Sequence, residues 1–527
     1  MKAERLLHEA FWRRGESAET QARPALVADG RRYTYGELLE SARRLATALH
    51  ERDLRRGDRV VIALENSWAC VVSIYATLIA GGVIVLVHPQ TRAEKLAFIL
   101  RDSGARMLIA EGRHGAATAD ALARLDARPT MLATEPTGAD PSASFEAAVA
   151  SAPPLAAPVP EIPLDLAAIL YTSGSTGEPK GVMQRHQSMV FTVGSLIEYL
   201  RLTAEERILC VLPLSFDYGL YQLLMAASLG ACLVLERSFT FLAQFLERLT
   251  SERITVFPGV PTIFSTLVAA HRRKPLRFPA ITRVTNTAAA LPDEFDDALR
   301  EMFPQALIYK MYGLTECKRV SYLEPELIDR KPGSVGKAIP GTEVYLLDPA
   351  GNPVVPGETG ILYVRGPHVM AGYWNRPDLT EEMLKPGPTP GERVLCTHDL
   401  FRMDDEGCLY FVGRTDDIIK SRGEKVSPVE VENALHRIPG VREAAVIGVP
   451  DPHLGESVRA VVVTDPGFDL APQAIRAGCA SFLEPHQIPT EVLFRDTLPR
   501  TANGKVDKRV LIDEARRDKT PGSEIDR

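Results

Sequence analysis

The sequence predicts an α/β protein: a large N-terminal domain of two related α/β sheet subdomains with a small β-rich subdomain, then a small mobile α+β C-terminal domain. Three observations carry this. A chain of 527 residues is too long for one core. A pattern of apolar helix, glycine and β-branched strand occurs twice, and the character of the chain changes after Gly341. In the first copy Trp68–Ala80 reads as a buried helix, Gly81-Gly82 breaks it, and Val83–Val87 is a strand. In the second, Tyr218–Leu229 is the helix, Gly230 the break and Ala231–Leu235 the strand. Further strands near Val60–Leu64, Met107–Ala110, Ile208–Leu212 and Thr255–Pro258 alternate with helical stretches, which argues for parallel sheets. The proline-rich run Ala152–Pro163 is a surface connection, and Leu166–Tyr171 is the strand after it. Beyond Gly341, Val344–Leu347, Gly360–Val364 and Cys408–Val412 are short strands between turns. The last segment alternates a helix near Pro428–Arg437, strands Ala444–Val449 and Ser457–Val463, and a helix near Ala471–Leu483. The boundary is set at Asp416, giving domains 1–415 and 416–527.

Composition excludes several classes. Hydrophobic residues make up 45% and charged residues 24%, as in an ordinary globular enzyme. A net charge of −7 without long single-sign runs argues against nucleic acid and against an electrostatic membrane anchor. The seven cysteines are scattered with no CxxC pair, which points to a reducing, cytoplasmic compartment rather than a disulfide framework or zinc site. The N-terminus lacks the apolar stretch of a secretory signal. Ala69–Val87 carries no charge, but its glycine pair divides it into helix and strand, so no membrane span is expected.

The most informative stretch is Thr172-Ser173-Gly174-Ser175-Thr176-Gly177-Glu178-Pro179-Lys180-Gly181, after the Leu166–Tyr171 strand. Glycines let backbone N–H groups approach phosphate oxygens, hydroxyls donate, and Lys180 supplies charge. It is not a Walker A loop, because Pro179 stands where that motif needs glycine. The stretch closely resembles the phosphate loop of the AMP-forming adenylating enzymes: acyl-CoA synthetases, peptide-synthetase adenylation domains and luciferases. Further motifs follow in that superfamily's order, and the likeness runs from Tyr33–Leu38 to Lys505.

The resemblance implies roles for particular residues. In Tyr312-Gly313-Leu314-Thr315-Glu316, Tyr312 stacks on adenine, Thr315 bonds the α-phosphate and Glu316 helps hold Mg²⁺. In Thr397-His398-Asp399, Asp399 binds the ribose hydroxyls, although histidine replaces the family's glycine. In Gly413–Lys420, Arg414 reaches the ribose, Asp416 is the hinge and Lys420 assists the second half-reaction. In Leu498–Lys505, Lys505 carries the adenylation step. Asn286, Ala288 and Gly313 line the adenine and acyl pockets, and Phe216 stands at an aromatic gate. Asp217 has two readings: it binds a substrate ammonium, as in amino-acid-activating relatives, or it or Ser215 caps a helix starting at Tyr218. The cap is preferred, and with it a non-amino acid as substrate. Lys318-Arg319 puts two cations near the acyl site, to meet an anionic substrate or acceptor or to pair with surface acids.

The resemblance therefore implies an ATP- and Mg²⁺-dependent carboxylate ligase that forms acyl-AMP and pyrophosphate, then passes the acyl group to an acceptor. CoA is the first acceptor to consider; an amino acid, giving an amide as in coronafacate-ligase-like synthetases, and a carrier-protein thiol are the others. A monomer or homodimer is expected. A catalytically silent adenylate-binding protein is the alternative from another class, and Lys180, Glu316 and Lys505 argue against it.

Overall fold

The structure is a computed structural model. It describes residues 4–135, 144–173, 179–239, 241–287, 291, 293–415, 417–421, 424–451, 454–465, 467–468, 470–501 and 505–518.

Two large sheets form the bulk of the chain, one seven-stranded and one nine-stranded. The first has a parallel centre of Arg59–Ala63, Val83–Leu86, Met107–Glu111, Thr130–Thr134 and Leu166–Ser173. The second is parallel through Cys232–Leu235, Arg207–Cys210, Val256–Gly259, Arg283–Asn286 and Leu307–Tyr312. The expectation of parallel sheets holds only for these centres. Pro179–Arg185 returns antiparallel after the phosphate-loop strand, and the N-terminal hairpin Pro24–Ala28/Arg31–Thr34 edges the second sheet. Both are tight returns, which only antiparallel pairing permits.

The repeated helix–glycine–strand pattern has a packing cause. Trp68–Ile79 is buried on nearly every face, so an apolar residue is needed at almost every position. Ser67 starts it by accepting from the Cys70 N–H. Gly81 ends it at φ +77°, where a Cβ would lie 2.8 Å from Val159 Cγ1. Asp217–Leu229 ends likewise on Gly230 at φ +79°. Asn66 joins the two units. Its amide donates to the carbonyls of Leu212 and Glu236, both at 2.9 Å, and its oxygen accepts from Leu214 N–H at 2.9 Å.

The β-rich subdomain is a sheet of Glu343–Leu347, Thr359–Arg365, Leu384–Pro386, Arg393–Met403 and Leu409–Arg414, antiparallel throughout. The C-terminal segment has its own five-stranded sheet, helices Pro428–His436, Pro472–Cys479 and Lys508–Asp518, and its own core. It touches the rest through Ser427 Oγ–H donating to the Val412 carbonyl, and through His436 beside Glu294 at 3.9 Å. All the cysteines are buried and unpaired. Among the described residues no helix is long and apolar enough to cross a membrane.

Candidate active site

The site forms where the parallel strands of the nine-stranded sheet end. Pro213–Asp217 follows Arg207–Cys210, Thr287 follows Arg283–Asn286, and Gly313 follows Leu307–Tyr312. Loops beyond the carboxyl ends of parallel strands are where α/β sheets bind ligands. Asn66 braces the first of these loops, which makes it a positioning residue that the sequence did not single out.

Tyr312, Asp399 and Arg414 converge. The Tyr312 hydroxyl donates to Asp399 Oδ2, and Arg414 Nη1 lies 3.5 Å from Asp399 Oδ1. Asp399 and Arg414 are register partners on neighbouring antiparallel strands, so the sheet itself sets them opposite each other. Phe401 packs edge-on to Tyr312 at 4.7 Å and fixes the ring. His398 has the left-handed backbone, φ +56°, that favours glycine. Its carbonyl accepts from Thr415 N–H at 2.9 Å. Asp399→Ala should therefore raise the KM for ATP by about tenfold to a hundredfold, the worth of a charge-assisted hydrogen bond. An unchanged KM would show that the ribose lies elsewhere.

Thr315 and Glu316 sit beside the phosphate-loop strands. Gln184 donates to the Thr315 carbonyl at 3.0 Å, and the Glu316 carbonyl accepts from Met370 N–H at 2.7 Å. The Tyr373 hydroxyl donates to Glu316 Oε1 at 2.6 Å, and the Lys180 ammonium lies 5.7 Å from the Tyr373 ring centre. Gln184 and Tyr373 were missed in the sequence, where each is an unremarkable residue of a strand. Thr172 pairs with Lys180 across the hairpin, which brings Lys180 to the loop's base. Of the loop, Gly174, Ser175, Thr176 and Gly177 lie outside the described residues, as do Ala288 and Asp416; Ser173 is described by its backbone alone.

A charge cluster gathers around Asp217. The expected cap is not made: the helix begins at Asp217 itself, Phe216 is its N-cap, and no side chain caps it. Asp217 instead lies 3.0 Å from the Lys318 ammonium. Burial opposes ionisation of Asp217, but Lys318, then Lys505, then Arg319 outweigh it and hold the carboxyl below its usual range. Burial, with the Arg319 charge, pulls Lys318 down to about 7 while Asp217 pulls it up. We take the pair as ionised, since the contact is short and Asp217 would otherwise lose its main counter-charge. Gly313 is required here: a Cβ would stand 2.3 Å from the Lys318 carbonyl. Lys505, in the C-terminal domain, is exposed, and its charge acts on Asp217. Lys420 is not brought to the site. It is exposed on Ile419–Ser421, with its N–H donating to Glu456 at 2.8 Å.

His368 is wholly buried beside this cluster, 5.5 Å from Phe191, and burial pushes it down to about 4. Burial pushes His8 to about 4 as well. Both imidazoles are neutral when folded, so the stability they contribute is present above pH about 6.5 and is lost as pH falls towards about 4. Thermal melts should therefore show a lower midpoint at pH 5 than at pH 7, and His368→Gln should lessen the fall. Identical pH dependence in the variant would show that His368 does not contribute.

A family model described as AMP-binding enzyme matches residues 14–374, and one for the AMP-binding enzyme C-terminal domain matches 430–505. The chain belongs to the AMP-binding enzyme family. A feruloyl-CoA synthase of Amycolatopsis sp is 33% identical over 90% of this chain and 93% of its own length. A long-chain-fatty-acid–CoA ligase of Escherichia coli O157:H7 is 32% identical over 94% and 92%. A benzoate CoA ligase from Burkholderia xenovorans LB400 superposes with a TM-score of 0.87 at 28% identity, covering 96% of this chain and 98% of that one.

Proposed function

We propose that this member of the family is an ATP-dependent, AMP-forming acid–CoA ligase. The observation that supports the reading is the convergence of Tyr312, Asp399 and Arg414, in which the Tyr312 hydroxyl donates to one Asp399 oxygen and Arg414 lies 3.5 Å from the other. In the first step a carboxylate oxygen of the acid attacks the α-phosphorus of ATP, and pyrophosphate leaves with the electron pair of the broken P–O bond. Tyr312, Asp399 and Arg414 hold the nucleoside, Thr315 holds the α-phosphate, and the Lys505 ammonium offsets the charge that builds as two anions meet. Glu316 would hold Mg²⁺: one of its carboxylate oxygens takes the Tyr373 hydroxyl, the other suits a hard cation, and the ion would neutralise the leaving pyrophosphate. In the second step a thiolate attacks the acyl carbonyl, and AMP leaves carrying the former carboxylate oxygen.

The acid is of the non-amino class. Lys318 already neutralises Asp217, so an α-ammonium would find no free carboxylate there. Lys420 belongs to the second step, reached when the domain 416–527 turns about Asp416. Asp416→Pro, which fixes φ at the pivot, should leave acyl-AMP formation intact and stall thioester formation. Full turnover in that variant would place the hinge elsewhere. The reading as a whole is tested by pyrophosphate release over a panel of carboxylic acids, with CoA, an amino acid or no acceptor added. CoA-dependent turnover with a thioester product is expected; an amide product with the amino acid would replace CoA as acceptor.

A further inference from the structure

Arg319 carries a buried charge with no ion-pair partner among the described residues. It is 2% exposed. Its Nη1 donates to Thr287 Oγ1 at 2.5 Å, its guanidinium lies 5.4 Å from the Tyr218 ring centre, and its Nε has no hydrogen-bond partner. Among the described residues no carboxylate lies within ion-pair distance of it. The nearest charge partner acting on the cluster, Asp217, is committed to Lys318 at 3.0 Å. Tyr218 and Tyr221 enclose the cluster of Asp217, Lys318 and Arg319, with Lys318 4.3 Å from the Tyr221 ring centre.

A buried guanidinium is costly to leave without an anion, and protein interiors pair such groups or provide them for a ligand. The reacting carboxylate does not serve both cations. Lys505 is exposed in the C-terminal domain, whereas Arg319 is buried against Thr287, at the end of the strand Arg283–Asn286. Two cationic positions call for two anionic groups on the bound molecule.

We propose that the acid this enzyme adenylates carries a second anionic group, a carboxylate or an anion of similar shape, and that Arg319 binds it through the free Nε edge. This rests on the reading of the protein as a carboxylate ligase. Arg319 acts as a specificity residue: a fork of donors fixes a planar anion, while a neutral acyl chain leaves the charge buried and unpaired.

The test is pyrophosphate release with matched pairs of acids, terephthalate against p-toluate and pimelate against heptanoate, on the wild type, Arg319→Met and Arg319→Lys. In the wild type the diacid of the better pair should exceed its monoacid in kcat/KM by about a hundredfold, the scale of losing a buried charge partner. Arg319→Met should raise the KM for the diacid by about that factor and leave the monoacid unchanged or improved; Arg319→Lys should restore part of the preference. ATP binding followed by fluorescence checks that each variant is folded. Should Arg319→Met not fold, the wild-type series decides alone. Equal or better use of the monoacids by the wild type, or an equal loss on both acids in a folded Arg319→Met, would overturn the proposal. Absence of pyrophosphate release with every acid would contradict the ligase reading itself, and the proposal with it.

Discussion

Lys505→Ala should lower acid-dependent ATP–pyrophosphate exchange by about two to three powers of ten, while transfer from a supplied acyl-adenylate to CoA stays close to the wild-type rate. That loss is the scale of removing one preorganised donor from a transition state. The lysine side chain is exposed, and Thr501 N–H donates to its carbonyl at 2.8 Å, so truncating the side chain leaves no cavity. Lys420 is exposed on Ile419–Ser421, its backbone N–H bonded to Glu456. The split between half-reactions is therefore the informative readout. Equal loss in both would show that Lys505 has only a structural role.

Lys318→Met should destabilise the N-terminal domain by about 3 kcal/mol, the low end for breaking a buried ion pair, since Arg319 remains to take part of the Asp217 charge. The Lys318 side chain is 3% exposed and that of Asp217 13%, so water cannot replace the lost partner. Urea unfolding followed by tryptophan fluorescence reads the effect, and adding Asp217→Asn should recover most of it. An unchanged midpoint in Lys318→Met would mean that the pair is solvated and stores little.

The parts of the fold that follow local rules were legible. Apolar periodicity with terminating glycines marked Trp68–Ile79 and Asp217–Leu229 to within a residue or two. The antiparallel return Pro179–Arg185 and the recruitment of Pro24–Thr34 to the far sheet were not legible, because strand direction and partner are long-range choices. At the site, Tyr312, Asp399 and Arg414 were named separately, and the structure joins them through a tyrosine hydroxyl and a strand register that no spacing encodes. Asp217 shows the limit most clearly. Its place before an apolar helix fits an N-cap, but a lysine far along the chain captures the carboxylate. Tyr373, Gln184 and Asn66 give no sequence signal, since each works by orienting another group.

Carboxylate attack on the α-phosphorus leaves an isotopic signature in the products. The direct measurement uses an accepted acid labelled with ¹⁸O in both carboxylate oxygens, turned over with ATP and CoA, with the nucleotide and phosphate products read by mass spectrometry. One label should appear in AMP, unlabelled pyrophosphate should accumulate, and the acyl-CoA should retain the other label. ADP as product, with the label in inorganic phosphate, would place the attack at the γ-phosphorus and contradict the account.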